Sequence, residues 1–208
     1  MIKSLAVVAL LCIWISQTHA QNNDSEPAAP ATMIVVNPPP PQTTLEKTDN
    51  LKGALIIRGY TNIGVIQTDD GAIVRVLALE LKTPGSKDNV TGIVIEIQNS
   101  GRITRTAVSY IDAEEIDGLS AALDAISKLD RAATDLTDYD AHYRTRGDFQ
   151  IENLSQNGAR VISMKATQSL RPSGEMIWTT ARLPLSRLVE LQRHIAAAKD
   201  VLDHLHKP

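Results

Sequence analysis

Residues 105–129 read RTAVSYIDAEEIDGLSAALDAISKL, and within this stretch the apolar period changes from two to about 3.6. Over Arg105–Ile111 apolar and polar residues alternate, the pattern of a strand with one buried face. From Ile116 the apolar positions are Leu119, Leu123, Ile126 and Leu129, spaced three or four apart as on one helix stripe. Between the two lies Asp112-Ala113-Glu114-Glu115, an N-cap aspartate with a glutamate three residues on, the capping-box arrangement. A strand therefore hands over directly to a helix, and the rest of the chain can be sorted by which period it follows.

Upstream, Leu55–Tyr60, Gly64–Thr68, Ile73–Leu81 and Gly92–Gln98 are further period-two or β-branched runs. They are punctuated by Asp69-Asp70-Gly71, Pro84-Gly85-Ser86 and Asn99-Ser100-Gly101. A strand pair beginning at Gly53 and Ile56 precedes the first unit with no counterpart in the second, and either extends the sheet or forms a separate hairpin. Downstream, Tyr143–Leu154, Arg160–Gln168 and Met176–Leu183 read as strands separated by Asn157-Gly158 and Pro172-Ser173-Gly174. Ser186 then caps a second helix with the stripe Leu188, Leu191, Ile195, Ala198 and Val201. Each stripe residue lies 72 positions after its partner in the first helix, from Ile116 and Leu188 to Leu129 and Val201. The expectation is an α+β fold: two antiparallel β-meander-plus-helix repeats, about 51–130 and 140–208, packed as one domain because neither covers its own apolar face.

The N-terminal segment has a different character. Residues 1–20 carry one cation, Lys3, an apolar run from Leu5 to Ile15, and small residues Thr18 and Ala20 before Gln21. This is the pattern of a secretory signal peptide, with a run too short to span a bilayer. Cys12 is the single cysteine of the chain, so cleavage before Gln21 leaves no thiol for a disulfide, nucleophile or metal site. A disulfide-free body of this size fits a periplasmic or secreted bacterial protein. Residues 21–50 hold six of the ten prolines, four of them consecutive at 38–41, and read as an extended proline-rich disordered linker. Met33–Val36 is an apolar interruption in it.

Composition narrows the function classes. The chain has 21 basic and 24 acidic residues; without Lys3, Lys47, Asp24, Glu26, Glu46 and Asp49 the body from residue 51 has 19 against 20. So balanced a body has no overall field to hold a nucleic-acid backbone, and no nucleic-acid partner is expected. Only 3% of residues are aromatic. Beyond Trp14 there are six, with Trp178 the sole tryptophan, which argues against a base-stacking platform.

The quoted stretch Arg105–Asp112, with Glu115-Ile116, Leu119–Ile126 and Tyr143–Phe149, resembles an uncharacterised family of bacterial exported proteins. The resemblance covers most of residues 51–205 and implies export, but no activity and no functional residues. The order of strands and helix, twice, is also similar in topology to the single-stranded-DNA-binding fold of the transcriptional coactivator and plant Whirly proteins, and topology does not establish function.

No catalytic motif is recognisable. The histidines after residue 20 are 142, 194, 204 and 206, and no serine sits in a Gly-x-Ser-x-Gly elbow. Asp138, Asp140 and His142 alternate and would share a strand side, but they read more simply as a polar strand edge, so no metal or cofactor is expected. Arg146-Gly147-Asp148 adjoins residues that read as strand and is not taken as a recognition tripeptide. Asn89-Val90-Thr91 and Asn153-Leu154-Ser155 have the form of glycosylation sequons. The arginines are the remaining candidates: Arg144 and Arg146 on one strand face, with Tyr143 and Arg105, form a candidate surface for a protein partner or small anionic ligand. Pairing of the arginines with Asp112, Asp148, Glu96 or Glu152 is the plainer reading. The expectation is a non-catalytic exported binding or structural module without a membrane span. The alternatives are a hydrolase whose site is assembled from distant residues, and an extracytoplasmic nucleic-acid binder.

Overall fold

A computed structural model describes residues 42–86, 89–101, 103–170 and 176–205. The signal-peptide pattern, the Met33–Val36 patch, Arg102, Arg171, the turn at Pro172–Gly174 and His206 lie outside them. The first unit is a four-stranded meander, β1 (Ile57–Gln67), β2 (Ile73–Lys82), β3 (Asn89–Ser100) and β4 (Thr104–Asp112), followed by α2 (Ile116–Lys128). The second is the meander β5 (Tyr139–Arg144), β6 (Gln150–Gln156), β7 (Ala159–Leu170) and β8 (Met176–Leu183), followed by α3 (Leu185–Leu205). Each sheet is antiparallel with its strands in chain order. The α+β architecture of two meander-plus-helix units is thus the observed one.

Two strand boundaries differ from expectation, and both corrections make the units more alike. Leu55–Tyr60 and Gly64–Thr68 are one strand, β1, which continues through a register shift between Asn62 and Gly64. A bulge, not a turn, interrupts its alternation. Position 64 has no room for a side chain: a Cβ on Gly64 would come within 2.2 Å of the His194 ring on α3. Conversely, Tyr143–Leu154 is two strands. The chain turns between Thr145 and Phe149, whose amide and carbonyl groups close the loop (Thr145 N to Phe149 O, 2.9 Å), with Asp148 at φ 61°. Arg146-Gly147-Asp148 is therefore a turn, though not a free tip: a Cβ on Gly147 would lie 1.9 Å from the Tyr110 carbonyl oxygen of β4.

The helices cross between units. Helix α2 lies against β5 and β6 of the second sheet, while α3 lies against β1, β2 and β3 of the first. Ile116, Leu119, Leu123 and Ile126 of α2 and Leu188, Leu191, Ile195 and Ala198 of α3 are all buried in one core. Val74, Val76, Ile93, Ile95 and Ile97 enter it from the first sheet, and Ile151, Ile162, Met164 and Ala181 from the second. Each such aliphatic side chain contributes about 1.5–3 kcal/mol by leaving water, and each unit's apolar face is covered by the other unit's helix. The second helix begins earlier than Ser186, since the Pro184 carbonyl already accepts from the amides of Arg187 (2.9 Å) and Leu188 (3.3 Å).

A short helix, α1 (Thr44–Asp49), corrects the linker boundary at residue 50. Thr43 caps it, its Oγ1 accepting from the Glu46 amide at 3.0 Å, and Glu46 reaches back to the Gln42 amide at 3.1 Å. Leu45 is fully buried with Leu79, Leu81 and Val94 on the outer face of the first sheet. Strand β3 is consequently buried on both faces over Thr91–Ile95.

Candidate functional site

Asp112 and Glu115 do not cap α2 as their spacing suggests. A single 3₁₀ turn, Ala113–Glu115, intervenes, and Asp112 makes no side-chain bond to it. Instead its buried carboxylate accepts from the α1 amides of Thr44 (2.7 Å) and Leu45 (2.9 Å), the free donors that any helix start leaves. Glu115 Oε1 accepts from the Arg146 amide at 2.9 Å. The Arg146 guanidinium reaches Glu114 at 2.7 Å, Glu115 at 3.3 Å and Asp112 at 3.5 Å. Its hydrogen bond holds the Glu114 carboxyl below the usual range. These contacts fasten α1 and the β5–β6 turn to the end of β4, with Glu115 Oε2 left to the ion pair alone.

Arg146 and Arg144 therefore do not share a surface. Arg144 is the last residue of β5 and stays on the outer face of the second sheet, its Nη2 2.7 Å and its Nε 3.0 Å from Asp148 Oδ1. Its guanidinium carbon stacks 5.4 Å from the centre of the Trp178 ring, an interaction of about 0.5–1 kcal/mol at a partly exposed site. Tyr143, one position earlier, points the opposite way and packs half-buried against the core. Burial first, and the nearby Glu115 charge second, raise its pKa. Phe149 is fully buried.

Arg105 does meet this region. It pairs with Asn99 beside the turn of the β3–β4 hairpin, and the Asn99 side-chain amide donates to the Thr180 carbonyl of β8 at 3.2 Å. That bond joins the hairpin to the edge of the second sheet. Between them is an open cleft of about 460 Å³ lined by Asn99, Gly101, Ile103, Arg105 and Trp178–Thr180. Ile103 is 69% exposed, and Arg105 forms no ion pair with a described residue. The lining Thr179 is buried, and its hydroxyl, like that of Thr167 opposite Trp178 in the ladder, has no hydrogen-bond partner among the described residues. The structure thus joins Arg144 and Arg105 through Trp178, and takes Arg146 and Tyr143 elsewhere. The signal that could have found Trp178 is strand parity: Trp178 and Thr180 share the face opposite Thr179 and Ala181.

Other candidates resolve differently. Asp138 accepts from the Asn157 amide at 2.8 Å, Asp140 is 3.9 Å from His142, and among the described residues no three His, Cys, Asp or Glu side chains gather as a metal site. His194 is half-buried against Gly64 with Glu190 at 3.8 Å; burial lowers its pKa, opposed by Glu190. His204 Nδ1 lies 2.5 Å from the Asp200 carbonyl oxygen. Asn153 is fully buried and donates to the Ile126 carbonyl at 3.2 Å, whereas Asn89 is exposed. Of the expected pairings, Arg144–Asp148 and Arg146–Asp112 are present, whereas Glu96 and Glu152 pair with Arg75 and Lys165 instead, each at 2.5 Å. A second concavity of about 370 Å³ lies on the outer face of the first sheet, floored by Leu77, Leu79 and Val94. No described helix is long and apolar enough to cross a membrane. The chain matches no protein-family model, and no curated protein matches its sequence.

Proposed function

We propose that the chain is exported and acts as a non-catalytic binding or structural module whose recognition surface is the cleft beside Trp178. The observation that carries this reading is the convergence of an exposed cation without an ion pair among the described residues (Arg105), an exposed aliphatic side chain (Ile103) and an aromatic ring stacked by a second cation (Trp178 with Arg144) on one open concavity. Such a mixture suits contact with a protein or a small anion. His142 and His194, the histidines a hydrolase would use first, stand on β5 and α3 with one carboxylate apiece nearby, short of the nucleophile, base and orienting acid that hydrolysis needs. Export is supported by the charge, apolar run and small residues of positions 1–20. The same proposal includes kinship with the exported bacterial proteins that residues 105–126 and 143–149 resemble.

The test is variant-dependent capture. Tagged full-length chain, wild type or with Arg105→Ala and Arg144→Ala together, is recovered from the native exported fraction. A protein or small molecule retained by the wild type and lost from the variant is the expected result. Retention indifferent to the substitutions, or turnover of ester, phosphate or peptide substrates by the wild type, would overturn it.

A further inference from the structure

The Asp112 cluster is closed by its own ion pairs to Arg146, and nothing shows what covers the outer groove of the first sheet. The Trp178 cleft differs in holding a cation with no ion-pair partner among the described residues. Arg105 is exposed and forms no ion pair with a described residue. The apolar part of the lining combines a flat ring, Trp178, with an aliphatic side chain, Ile103. Arg144, stacked on the indole, is already paired with Asp148, so the charge available in the cleft is that of Arg105. At about 460 Å³ the space suits a small molecule.

Deepening the binding reading above, on which this rests, we propose that the cleft takes a planar anion: a flat ring bearing a carboxylate. The ring lies between Trp178 and Ile103, and the carboxylate pairs with Arg105, whose planar guanidinium can receive both oxygens. Ring and charge are needed together. An apolar ring leaves Arg105 unsatisfied, and a bare carboxylate gains too little against water in so open a site.

The full-length chain carrying Trp14→Phe makes Trp178 the sole fluorescent tryptophan, read by exciting at the red edge of the indole band. Phenylacetate, phenylacetamide and acetate are titrated in parallel. Phenylacetate is expected to change the emission saturably below a concentration on the order of tens of millimolar, with the other two about tenfold weaker or more. Arg105→Ala, with circular dichroism and urea midpoint unchanged, abolishes the response, and Arg105→Lys restores part of it. Equal responses to phenylacetamide or to acetate, an undiminished response in Arg105→Ala, or no saturation would each overturn the ligand assignment. The wider binding reading falls on a different result, capture indifferent to Arg105 and Arg144, so the two failures are distinguishable.

Discussion

Asp112 offers the sharpest test of how the segment before the first sheet is held. Its carboxylate receives two α1 amides, at 2.7 and 2.9 Å, from a buried position. Hydrogen bonds to a charged acceptor contribute about 1.5–3 kcal/mol each, so Asp112→Ala would cost about 3–6 kcal/mol if α1 stayed docked with both amides unpaired. It has a cheaper route. A helix of six residues cannot hold itself together, so α1 leaves the sheet, and the loss is capped at its docking energy, chiefly the burial of Leu45, about 1.5–3 kcal/mol. Arg146 keeps Glu114 and Glu115, so no cation is orphaned. The expected outcome is local. Hydrogen exchange at Lys47, Asn50 and Leu51, whose amides bond back to Thr43, Glu46 and Thr48, should speed up by about a hundredfold, while β2 and β3 core amides keep their protection. Trypsin should cut faster after Lys47 and Lys52, and Asp112→Asn, retaining one acceptor oxygen, should fall between. Unchanged protection at Lys47 and Asn50, or equal loss throughout β2 and β3, would refute this description of α1.

Glycines of β1 should separate by what their missing Cβ would touch: Gly64→Ala meets His194 at 2.2 Å and should lower stability by about 1–3 kcal/mol in urea. Gly59→Ala, with its nearest neighbour at 3.8 Å, should be neutral or gain up to about 1 kcal/mol, and similar midpoints would contradict the close packing of α3 on the bulge. His194 gives the pH dependence its sign. Burial holds its pKa below 6.5 despite Glu190, so the unfolded chain takes up the proton first, and stability, full above that value, declines as pH falls through it toward the folded pKa. His194→Gln should flatten the slope between about pH 7 and 5, and an unaltered slope would assign it to other groups. In a host that glycosylates exported asparagines, mass spectrometry should find the glycan on exposed Asn89 and none on Asn153, which is fully buried; a modified Asn153 in folded protein would contradict its place in the core.

Both long helices were legible because a 3.6 period needs only burial of one face, and every predicted stripe residue from Ile116 to Ile126 and from Leu188 to Ala198 is buried. Strand limits were less so. The bulge at Gly64 interrupts alternation as a turn would, and the tight turn at Arg146–Asp148 is hidden because Tyr143 and Phe149 on its flanks both face the core. Helix α1 escaped notice since six residues hold barely one apolar position, Leu45, although Thr43 and Glu46 carried a capping signal. For the site, local spacing placed Arg144 beside Arg146, but a chain reversal parts them. Arg144 meets Trp178, three strands away, and Arg105 comes from the other sheet. Pairings of that range depend on how the two meanders fold together, which no window of sequence contains.

The central claim, that recognition occurs at the cleft between the β3–β4 hairpin and β8, is tested most directly by hydrogen exchange of the full-length chain with and without its native exported fraction. The account predicts new protection confined to residues 99–105 and 178–180, absent when Arg105 and Arg144 are both alanine. Protection centred instead on the outer face of the first sheet, at Tyr60 and Leu77, or none at any described residue, would contradict it.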